Sequence, residues 1–387
     1  MNNLKEILSR DSLLFQDDID LNIEDIHKEF CDKKILVLGA AGSIGSAFVK
    51  EILRFNLSTI HLLDYDENGL VDLVRYIRAE GYENTNLELY PFGLESELMK
   101  SVIQKNEYDF IYNFSARKHV RSESNIESSY QIIKTNVIDL SKFLSFLPKN
   151  QKFFSVSTDK AAYPANIMGA SKRLMEDLIL SNLNIDAKTA RFGNVAFSKG
   201  SLLNSFDQRI NSKQPIPVPK NVFRYFLTEK EAAFICILAS ICKIEKPILI
   251  PKSNLITPVS IEEIIKLYLG TKNLKYKIYK SDKFYKSNKE SSNTETVSLI
   301  YDELNTTGEK STELFFEDSE EIISTTFKSL ECVVYKDLSI NFGEFIEEFN
   351  LLVKSSRADK QLLIDLLKKH LKTFSHNSSD LSLNDKR

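Results

Sequence analysis

Residues 157–160, Ser-Thr-Asp-Lys, place two hydroxyls, an acid and a base in a row. Asp159 and Lys160 are of the types that transfer protons in enzymes, so one substrate could reach both a base and an acid. The mainly apolar residues 153–156 predict a buried β-strand that ends at this cluster. Because open α/β sheets bind ligands beyond the carboxyl ends of their strands, a site is expected here. The alternative is a surface ion pair at the end of a strand.

A second motif lies upstream, where residues 34–45 read KILVLGAAGSIG. This pattern predicts an apolar strand, a glycine-rich turn and a helix over 46–55. Glycines let backbone N–H groups approach a pyrophosphate at a helix N-terminus. We therefore assign cofactor binding to the residues of this turn, namely Gly39, Gly42, Ser43, Ile44 and Gly45. The alternative is a glycine-rich turn without a ligand.

Two carboxylates follow the next predicted strands. Asp64 ends the strand over 59–64, about 20 residues beyond the glycine turn, where a carboxylate can accept hydrogen bonds from the ribose hydroxyls of a dinucleotide. A carboxylate there would repel a 2′-phosphate, so we expect NAD, with NADP as the alternative cofactor. Asp64 could also be a helix N-cap, and the two roles are compatible. Glu95, after the strand predicted over 87–93, could meet the adenine amino group.

The fourth predicted strand leads into a polar segment that contains Ala116, Lys118 and His119. A long predicted helix over 124–147 then carries Asn136 among apolar neighbours. We assign Ala116, Lys118 and Asn136 to the cofactor site, with Asn136 holding the loop behind the active site. His119 is a candidate for substrate contact, and the alternative for this histidine is a structural role.

A sixth predicted strand over 186–192 completes an alternation of strands and helices. This alternation predicts an α/β fold with a Rossmann-type, doubly wound parallel sheet. After it the pattern changes, and we expect a smaller C-terminal lobe whose region supplies Asn194, Ser201 and Arg224 as substrate contacts. Arg224 could clamp a diphosphate, because a guanidinium binds phosphate oxygens in a bidentate fork. The alternative is a surface arginine.

The predicted domain organisation has five parts. They are an N-terminal helical extension over 1–33, a dinucleotide-binding domain over 34–197, a substrate-binding lobe with returning segments over 198–330, a C-terminal helical extension over 331–375 and a disordered tail over 376–387. The N-terminal helices could cap the main domain or form an oligomer contact.

The composition argues against several classes of protein. The chain has 387 residues and a net charge of −3, so no basic field points to nucleic acid as a partner. The four cysteines share no CxxC spacing, which indicates reduced thiols and neither a zinc site nor a disulfide framework. No apolar run reaches the ~18 residues of a membrane helix, and the acidic, mixed N-terminus is not typical of a signal peptide. We therefore expect a cytoplasmic protein without a membrane span or a metal site.

Four motifs together resemble those of the extended short-chain dehydrogenases/reductases. They are KILVLGAAGSIG (34–45), NFSARKHV (113–120), STDKAAYPANIMGASK (157–172) and RFGNVAFSKGSL (191–202). More narrowly, the chain resembles the nucleotide-sugar 4,6-dehydratases that act on UDP-N-acetylglucosamine in bacterial polysaccharide and glycan biosynthesis. The larger members of that group carry transmembrane helices, so this sequence resembles a soluble branch. The resemblance implies a nucleotide-sugar substrate, with uridine or guanosine left open, and a homo-oligomer.

The resemblance also implies an internal redox reaction. A tightly bound NAD takes a hydride from C4 of the sugar, water is eliminated across C5 and C6, and the hydride returns to C6, so the cofactor is recycled. Lys160 is then the base for the C5 proton and Asp159 the acid for O6. Thr158 is suited to hydrogen-bond the C4 oxygen, and Lys172 to bond the nicotinamide ribose.

Met168 departs from the family pattern, which places a tyrosine four residues before the helix lysine, here Lys172. Methionine cannot ionise or accept a proton. We favour a methionine branch of the dehydratases in which other groups move protons, because the motif at 158–160 is intact. The alternatives are an inactive protein that binds NAD and a nucleotide sugar, a 4-epimerase or simple reductase, and a structural role in a glycan-assembling complex. Epimerases and reductases normally use the tyrosine and need no Asp-Lys pair.

Overall fold

A nine-stranded sheet forms the centre of the molecule in the computed structural model, which describes residues 7–8, 10–82, 85–118, 123, 125–281, 285, 296–302, 310–355 and 359–376. The strands among these residues are β1 (Lys34–Leu38), β2 (Thr59–Leu63), β3 (Asn86–Tyr90), β4 (Phe110–Asn113), β5 (Gln151–Thr158), β6 (Ile185–Phe192), β7 (Asn194–Val195), β8 (Ile216–Pro219), β9 (Phe223–Arg224), β10 (Phe226–Leu227), β11 (Ile248–Pro251), β12 (Val259–Ser260), β13 (Lys275–Tyr279), β14 (Thr296–Asp302), β15 (Ile322–Ser324) and β16 (Leu330–Val333).

The helices cover the sheet and build the smaller lobe. They are α1 (Gln16–Leu21), α2 (Ile23–Phe30), α3 (Ser43–Ile52), α4 (Glu67–Ala79), α5 (Leu98–Lys105), α6 (Ile126–Ile133), α7 (Leu140–Leu144), α8 (Ile167–Leu180), α9 (Leu202–Asn211), α10 (Glu229–Ile241), α11 (Ile261–Thr271), α12 (Phe342–Lys354) and α13 (Lys360–His370). A π-helical turn, Lys134–Asp139, joins α6 to α7.

The main sheet has the strand order β15-β16-β11-β6-β5-β4-β1-β2-β3. Its pairs are parallel except those of β16, which is antiparallel to β11 and to β15. The chain moves outward from β1 in both directions, so right-handed crossovers put helices on both faces. Burial on both faces explains why the strand residues of β1 read as a continuous apolar run. The predicted α/β fold with a doubly wound parallel sheet is therefore confirmed.

The N-terminal helices lie against the main domain, as one of the two predicted alternatives requires. α1 and α2 pack on α10, which also packs on α3. Phe30 of α2 is fully buried, and its ring stacks on those of Phe55 and Phe110 at 5.9 and 6.2 Å. Asp18 accepts hydrogen bonds from the N–H groups of Lys328 and Ser329 at 2.7 and 2.8 Å. These contacts fix the extension to the turn that precedes β16.

Three predicted boundaries differ from the structure. α3 begins at Ser43 and not at residue 46, because Gly42 is already its N-cap. β3 ends at Tyr90 and not at residue 93, because its partner Leu63 is the last residue of β2. The helix predicted over 124–147 is interrupted by the π-helical turn.

The smaller lobe has its own apolar core. α9 and α11 cover a three-stranded parallel sheet of the order β13-β14-β8. β11, β15 and β16 return from this part of the chain to the main sheet, so the boundary predicted between residues 330 and 331 falls inside β16.

The C-terminal helices α12 and α13 pack on each other, and α13 packs on α6. α13 ends at His370, with Leu371 as its C-cap. Residues 377–387 of the predicted tail lie outside the described residues. Within the described part of the chain, no helix combines the length and the apolar character needed to cross a membrane.

Candidate active site

The glycine turn between β1 and α3 has a shape that suits a dinucleotide diphosphate. Gly39 has a φ of +76°, and a Cβ there would lie 2.6 Å from the backbone nitrogen of Ser115. A Cβ at Gly45 would overlap the carbonyl oxygen of Gly39. Ser43 and Ile44 follow the N-cap and form the first turn of α3. The N–H groups of a first helical turn have no partner within the helix, so they can bind an anion.

Asp64 is buried where β2 meets the glycine turn. Its Oδ2 accepts a hydrogen bond from the N–H of Ala41 at 2.9 Å, and its Oδ1 accepts one from the N–H of Asp66 at 3.0 Å. The N-cap of α4 is Asp66, which accepts from the N–H of Gly69 at 3.0 Å. The alternative role of Asp64 as an N-cap is therefore wrong, since α4 begins only after Asp66. Glu95 is exposed on the loop that follows β3.

The acid–base pair lies at the carboxyl end of β5. Oδ1 of Asp159 accepts hydrogen bonds from the hydroxyl of Thr158 at 2.8 Å and from Nζ of Lys160 at 2.9 Å. Nζ of Lys160 also donates to Oδ1 of Asn194 at 3.3 Å. The exposed fractions of the Asp159 and Lys160 side chains are 0% and 17%, so this is not a surface ion pair. Oδ2 of Asp159 is buried and has no hydrogen-bond partner among the described residues.

Met168 and Lys172 are buried on α8, the helix that follows the acid–base pair in the chain. Nζ of Lys172 donates to the carbonyl oxygen of Val156 at 2.9 Å, and burial lowers the pKa of Lys172 to about 8. The N–H of Met168 donates to Oε1 of Glu123 at 3.0 Å. Burial raises the pKa of the Glu123 carboxyl. The hydrogen bonds that this carboxyl accepts from the N–H groups of Met168 and Ile167, at the start of α8, act in the opposite direction. No sequence pattern singled out Glu123.

Asn136 lies in the π-helical turn and holds the loop after β4. Its Oδ1 accepts from the N–H of Arg117 at 2.9 Å, and its Nδ2 donates to the Arg117 carbonyl oxygen at 3.0 Å and to Oγ of Ser171 at 2.9 Å. Ala116 precedes this clamped residue and is partly buried. The side chain of Asn136 therefore positions the predicted cofactor loop against α8. π-Helical turns often occur at functional sites, and this one explains the break in the long helix.

A short segment crosses from the smaller lobe to the glycine turn. The N–H of Lys199 donates to the hydroxyl of Ser43 at 3.0 Å, and Nζ of Lys199 binds Asp66 at 3.1 Å. Nζ of Lys118, which is exposed, donates to the hydroxyl of Ser198 at 3.4 Å. A cavity of about 620 Å³ also lies beside α3, but its lining contains none of the residues Thr158, Asp159, Lys160, Met168 and Lys172.

The predicted substrate contacts fall at three separate places. Arg224 is buried, so the surface alternative is wrong, and its Nη1 donates to the carbonyl oxygens of Phe223 and Ser311 at 2.8 and 3.1 Å. Ser201 is the N-cap of α9, with its hydroxyl accepting from the N–H of Asn204. Of these residues, only Asn194 touches the acid–base pair. His119 lies outside the described residues.

A buried network of ion pairs lies close to the acid–base pair and connects β6 with α8. Arg191 at the end of β6 binds Glu176 of α8 and also Glu320, and Arg173 binds the same two carboxylates. The hydroxyl of Ser157 donates to Glu176 at 2.5 Å. Arg191 is the first residue of the motif at 191–202, but the sequence pattern did not predict a role for Arg191 or for its partners.

Comparison with known proteins places these features in a family. The family model described as "Polysaccharide biosynthesis protein" matches residues 35–332. The capsular polysaccharide biosynthesis protein CapD of Staphylococcus aureus is 33% identical over 250 residues, which are 62% of this chain and 41% of that protein. The chain therefore spans about two fifths of the length of this relative.

Solved structures share the fold. The structure of Pen from Bacillus thuringiensis has a TM-score of 0.63 at 19% identity, covering 80% of this chain and 91% of Pen. A UDP-glucuronic acid 4-epimerase from Bacillus cereus, solved with NAD and a fluorinated UDP sugar, has a TM-score of 0.51 at 17% identity, covering 74% of this chain and 90% of the epimerase. The family match covers more than half of the chain and agrees with the predicted extended short-chain dehydrogenase/reductase. This chain belongs to the polysaccharide biosynthesis protein family.

Proposed function

We propose that this protein is an NAD-dependent nucleotide-sugar 4,6-dehydratase. It converts UDP-N-acetylglucosamine, or its GDP counterpart, to the 4-keto-6-deoxy sugar for a bacterial surface polysaccharide or glycan. The observation that carries this proposal is the buried Asp159–Lys160 pair at the end of β5, with N–O contact at 2.9 Å. An elimination needs an acid and a base in reach of each other, which this pair supplies.

The residues present suit a nicotinamide dinucleotide. The turn at Gly39 and Gly45 has no room for side chains, and the first turn of α3 offers N–H groups to a diphosphate. Asp64 stands at the end of β2, and its carboxylate disfavours a 2′-phosphate, which supports NAD over NADP. A bound nicotinamide ring would supply hydride acceptance at sugar C4 and hydride return at C6. Lys172 would hold the ribose beside that ring.

Three neighbouring side chains carry out the proton transfers of the elimination. Lys160 takes the proton from C5, which is acidic once C4 is a ketone, and later returns a proton to C5. Asp159 gives a proton to O6, so the C6 hydroxyl leaves as water. Thr158 hydrogen-bonds the C4 oxygen, and its own hydroxyl lies 2.8 Å from Asp159. The proton released by the C4 hydroxyl passes through Thr158 to Asp159 before the elimination, so Asp159 can give it to O6 while the neutral amine of Lys160 takes the C5 proton. This relay accounts for a site that works with Met168 in place of tyrosine.

Mass spectrometry of the sugar nucleotide tests this function. We expect purified protein with NAD to remove one water from UDP- or GDP-N-acetylglucosamine, and deuterium from heavy water to appear at C5. Asp159→Asn and Lys160→Met should abolish the product while NADH binding persists. Asp109→Asn is the matched control, because Asp109 and Lys33 form an exposed ion pair at 3.1 Å. An unchanged mass with retained NADH and sugar binding would refute the dehydratase. If the sugar nucleotide also keeps its chromatographic retention time, the result would support a binding protein.

A 4-epimerase is the second candidate, favoured by the fold shared with the B. cereus epimerase. Its product would keep the substrate mass and differ in the configuration at C4, which chromatography resolves. The activity of an epimerase would also be largely independent of Lys160. The same incubation therefore separates the two enzymes.

A further inference from the structure

The strand ends that carry the acid–base pair bring one further titratable side chain beside it, that of Tyr225. β5 and β6 run parallel, with Thr158 opposite Phe192 as the last pair. Asp159 and Gly193 are therefore the next residues beyond the paired ends, side by side at the edge of the sheet. Whatever packs on Gly193 lies next to the acid.

Gly193 leaves the space that Tyr225 fills. A Cβ at Gly193 would lie 2.6 Å from the carbonyl oxygen of Tyr225 and 2.8 Å from its Cβ. The N–H of Asn194 donates to that carbonyl oxygen at 2.8 Å, and β7 and β10 continue the pairing. The backbone of Tyr225 is thus fixed against the residue after β6, one strand away from Asp159.

The ring of Tyr225 is held from its other side by Phe315, with ring centroids 4.7 Å apart. Tyr225 is half-buried, and burial together with the Asp159 charge raises the pKa of its phenol. A raised pKa keeps the phenol protonated at neutral pH, so it can act only as a donor towards a carboxylate. Oδ2 of Asp159 can accept this hydrogen bond, because it is buried and has no hydrogen-bond partner among the described residues.

Other charged groups near this place are engaged elsewhere. Lys160 binds Oδ1 of Asp159. Arg224, next to Tyr225 in the chain, binds backbone carbonyl oxygens. Arg191, at the end of β6, binds Glu176 and Glu320. None of these three cations donates a hydrogen bond to Oδ2, which has no partner among the described residues.

We propose that Tyr225 is a positioning residue that donates its phenolic hydrogen to Oδ2 of Asp159 when this carboxyl releases its proton to O6. Lys160 and Thr158 hold Oδ1 and Tyr225 holds Oδ2, so the carboxylate that forms during elimination is stabilised at both oxygens. No covalent bond of Tyr225 changes. The site thereby uses a phenol from the segment between β9 and β10, although Met168 occupies the family's tyrosine position. This inference rests on the proposed function for its role in catalysis.

The contact itself can be tested without turnover. Protein labelled with ¹³C at the tyrosine ζ carbon is titrated by NMR, and the Tyr225 signal is identified by its loss in Tyr225→Phe. In Asp159→Asn, which removes the neighbouring negative charge, we expect the phenol to titrate about one pH unit lower. An identical midpoint in the two proteins would overturn the proposal.

The role is tested by the pH dependence of dehydration. Loss of a donor to a carboxylate favours its protonated form, so in Tyr225→Phe the alkaline limb should move up by about one pH unit. kcat should fall about tenfold with KM unchanged, because the lost hydrogen bond forms fully only as the charge develops. Tyr301→Phe is the control, since Tyr301 lies in the core of the smaller lobe and its hydroxyl has no hydrogen-bond partner among the described residues.

An unmoved alkaline limb would overturn the positioning role. If the wild type makes no dehydrated product, the proposed function fails instead. The NMR titration then still decides whether Tyr225 and Asp159 are coupled, so the two failures are distinguishable.

Discussion

The guanidinium of Arg191 binds the carboxylate of Glu176 as a fork, with Nε to Oε1 at 2.8 Å and Nη2 to Oε2 at 2.7 Å. The exposed fractions of the two residues are 0% and 1%. Arg191 is the penultimate residue of β6, and Glu176 lies one turn after Lys172 on α8. The fork therefore fixes the helix that carries Lys172 against the strand ends that carry Asp159.

Replacing Arg191 should be among the most destabilising single changes in this fold. Arg191→Met leaves Glu176 and Glu320 as buried carboxylates without their main partner, and we expect the free energy of unfolding to fall by ~3–5 kcal/mol. Urea unfolding at neutral pH measures this. Arg75→Met removes an exposed pair with Asp72 and should cost less than ~1 kcal/mol. Equal costs for the two variants would contradict a structural role of the network.

Glu320 should make stability sensitive to acid. Burial alone would raise its pKa, but hydrogen bonds from Arg191 and the nearby guanidinium charges lower the pKa of Glu320 to about 2. A depressed carboxyl pKa means that the stabilisation is present above the unfolded value of ~4.3 and is lost as the pH falls towards 2. The difference in unfolding free energy between the wild type and Glu320→Gln should shrink over that range. A difference that stays constant from pH 5 to about pH 3 would contradict this prediction.

Lys172 should also make stability rise with pH, but in the alkaline range. Its folded pKa of about 8 lies below the ~10.4 of an unfolded lysine, so between these values the unfolded chain binds more protons. The unfolding free energy of the wild type relative to Lys172→Met should therefore rise as the pH increases from about 8 to ~10. Urea unfolding at both ends of this range measures the change. A flat difference would show that Lys172 is not desolvated as the structure indicates.

Local patterns predicted the parts of the site that depend on neighbouring residues. The apolar run and the glycines predicted β1, the turn and the presence of α3, although this helix begins three residues earlier than predicted. The motif at 157–160 lies at the end of its strand as predicted. The start of α10 is equally local, because Thr228 and Glu231 form a capping box there. These features need only the residues within one element and its cap.

The missing parts depend on contacts between distant residues. Glu320 meets Arg191 over 129 positions and Arg173 over 147 positions of the chain. β16 is only four residues long and pairs antiparallel with β11, so no crossover pattern indicates that it joins the main sheet. The π-helical turn arises because Asn136 binds Arg117 and Ser171, and neither partner lies on its own helix. Periodicity cannot reveal such partners, since it reports only which face of an element is buried.

Gly39 offers the sharpest test of the cofactor site, because Gly81 is a matched control. Both glycines have a positive φ, of +76° and +82°, so alanine strains the backbone by a similar ~1–2 kcal/mol at either position. At Gly81 a new Cβ meets nothing within 4 Å, whereas at Gly39 it lies 2.6 Å from the backbone of Ser115. Only Gly39→Ala should therefore push the end of β1 away from the loop after β4.

The two variants should separate backbone strain from cofactor binding. We expect Gly39→Ala to weaken NADH binding, followed by nicotinamide fluorescence, by at least about tenfold, because the displaced turn no longer presents its N–H groups to the diphosphate. Gly81→Ala should lose some stability in urea but bind NADH as the wild type does. Unchanged binding in Gly39→Ala would mean that the turn between β1 and α3 does not hold the dinucleotide. Equal losses in both variants would mean that general destabilisation, and not the turn, limits binding.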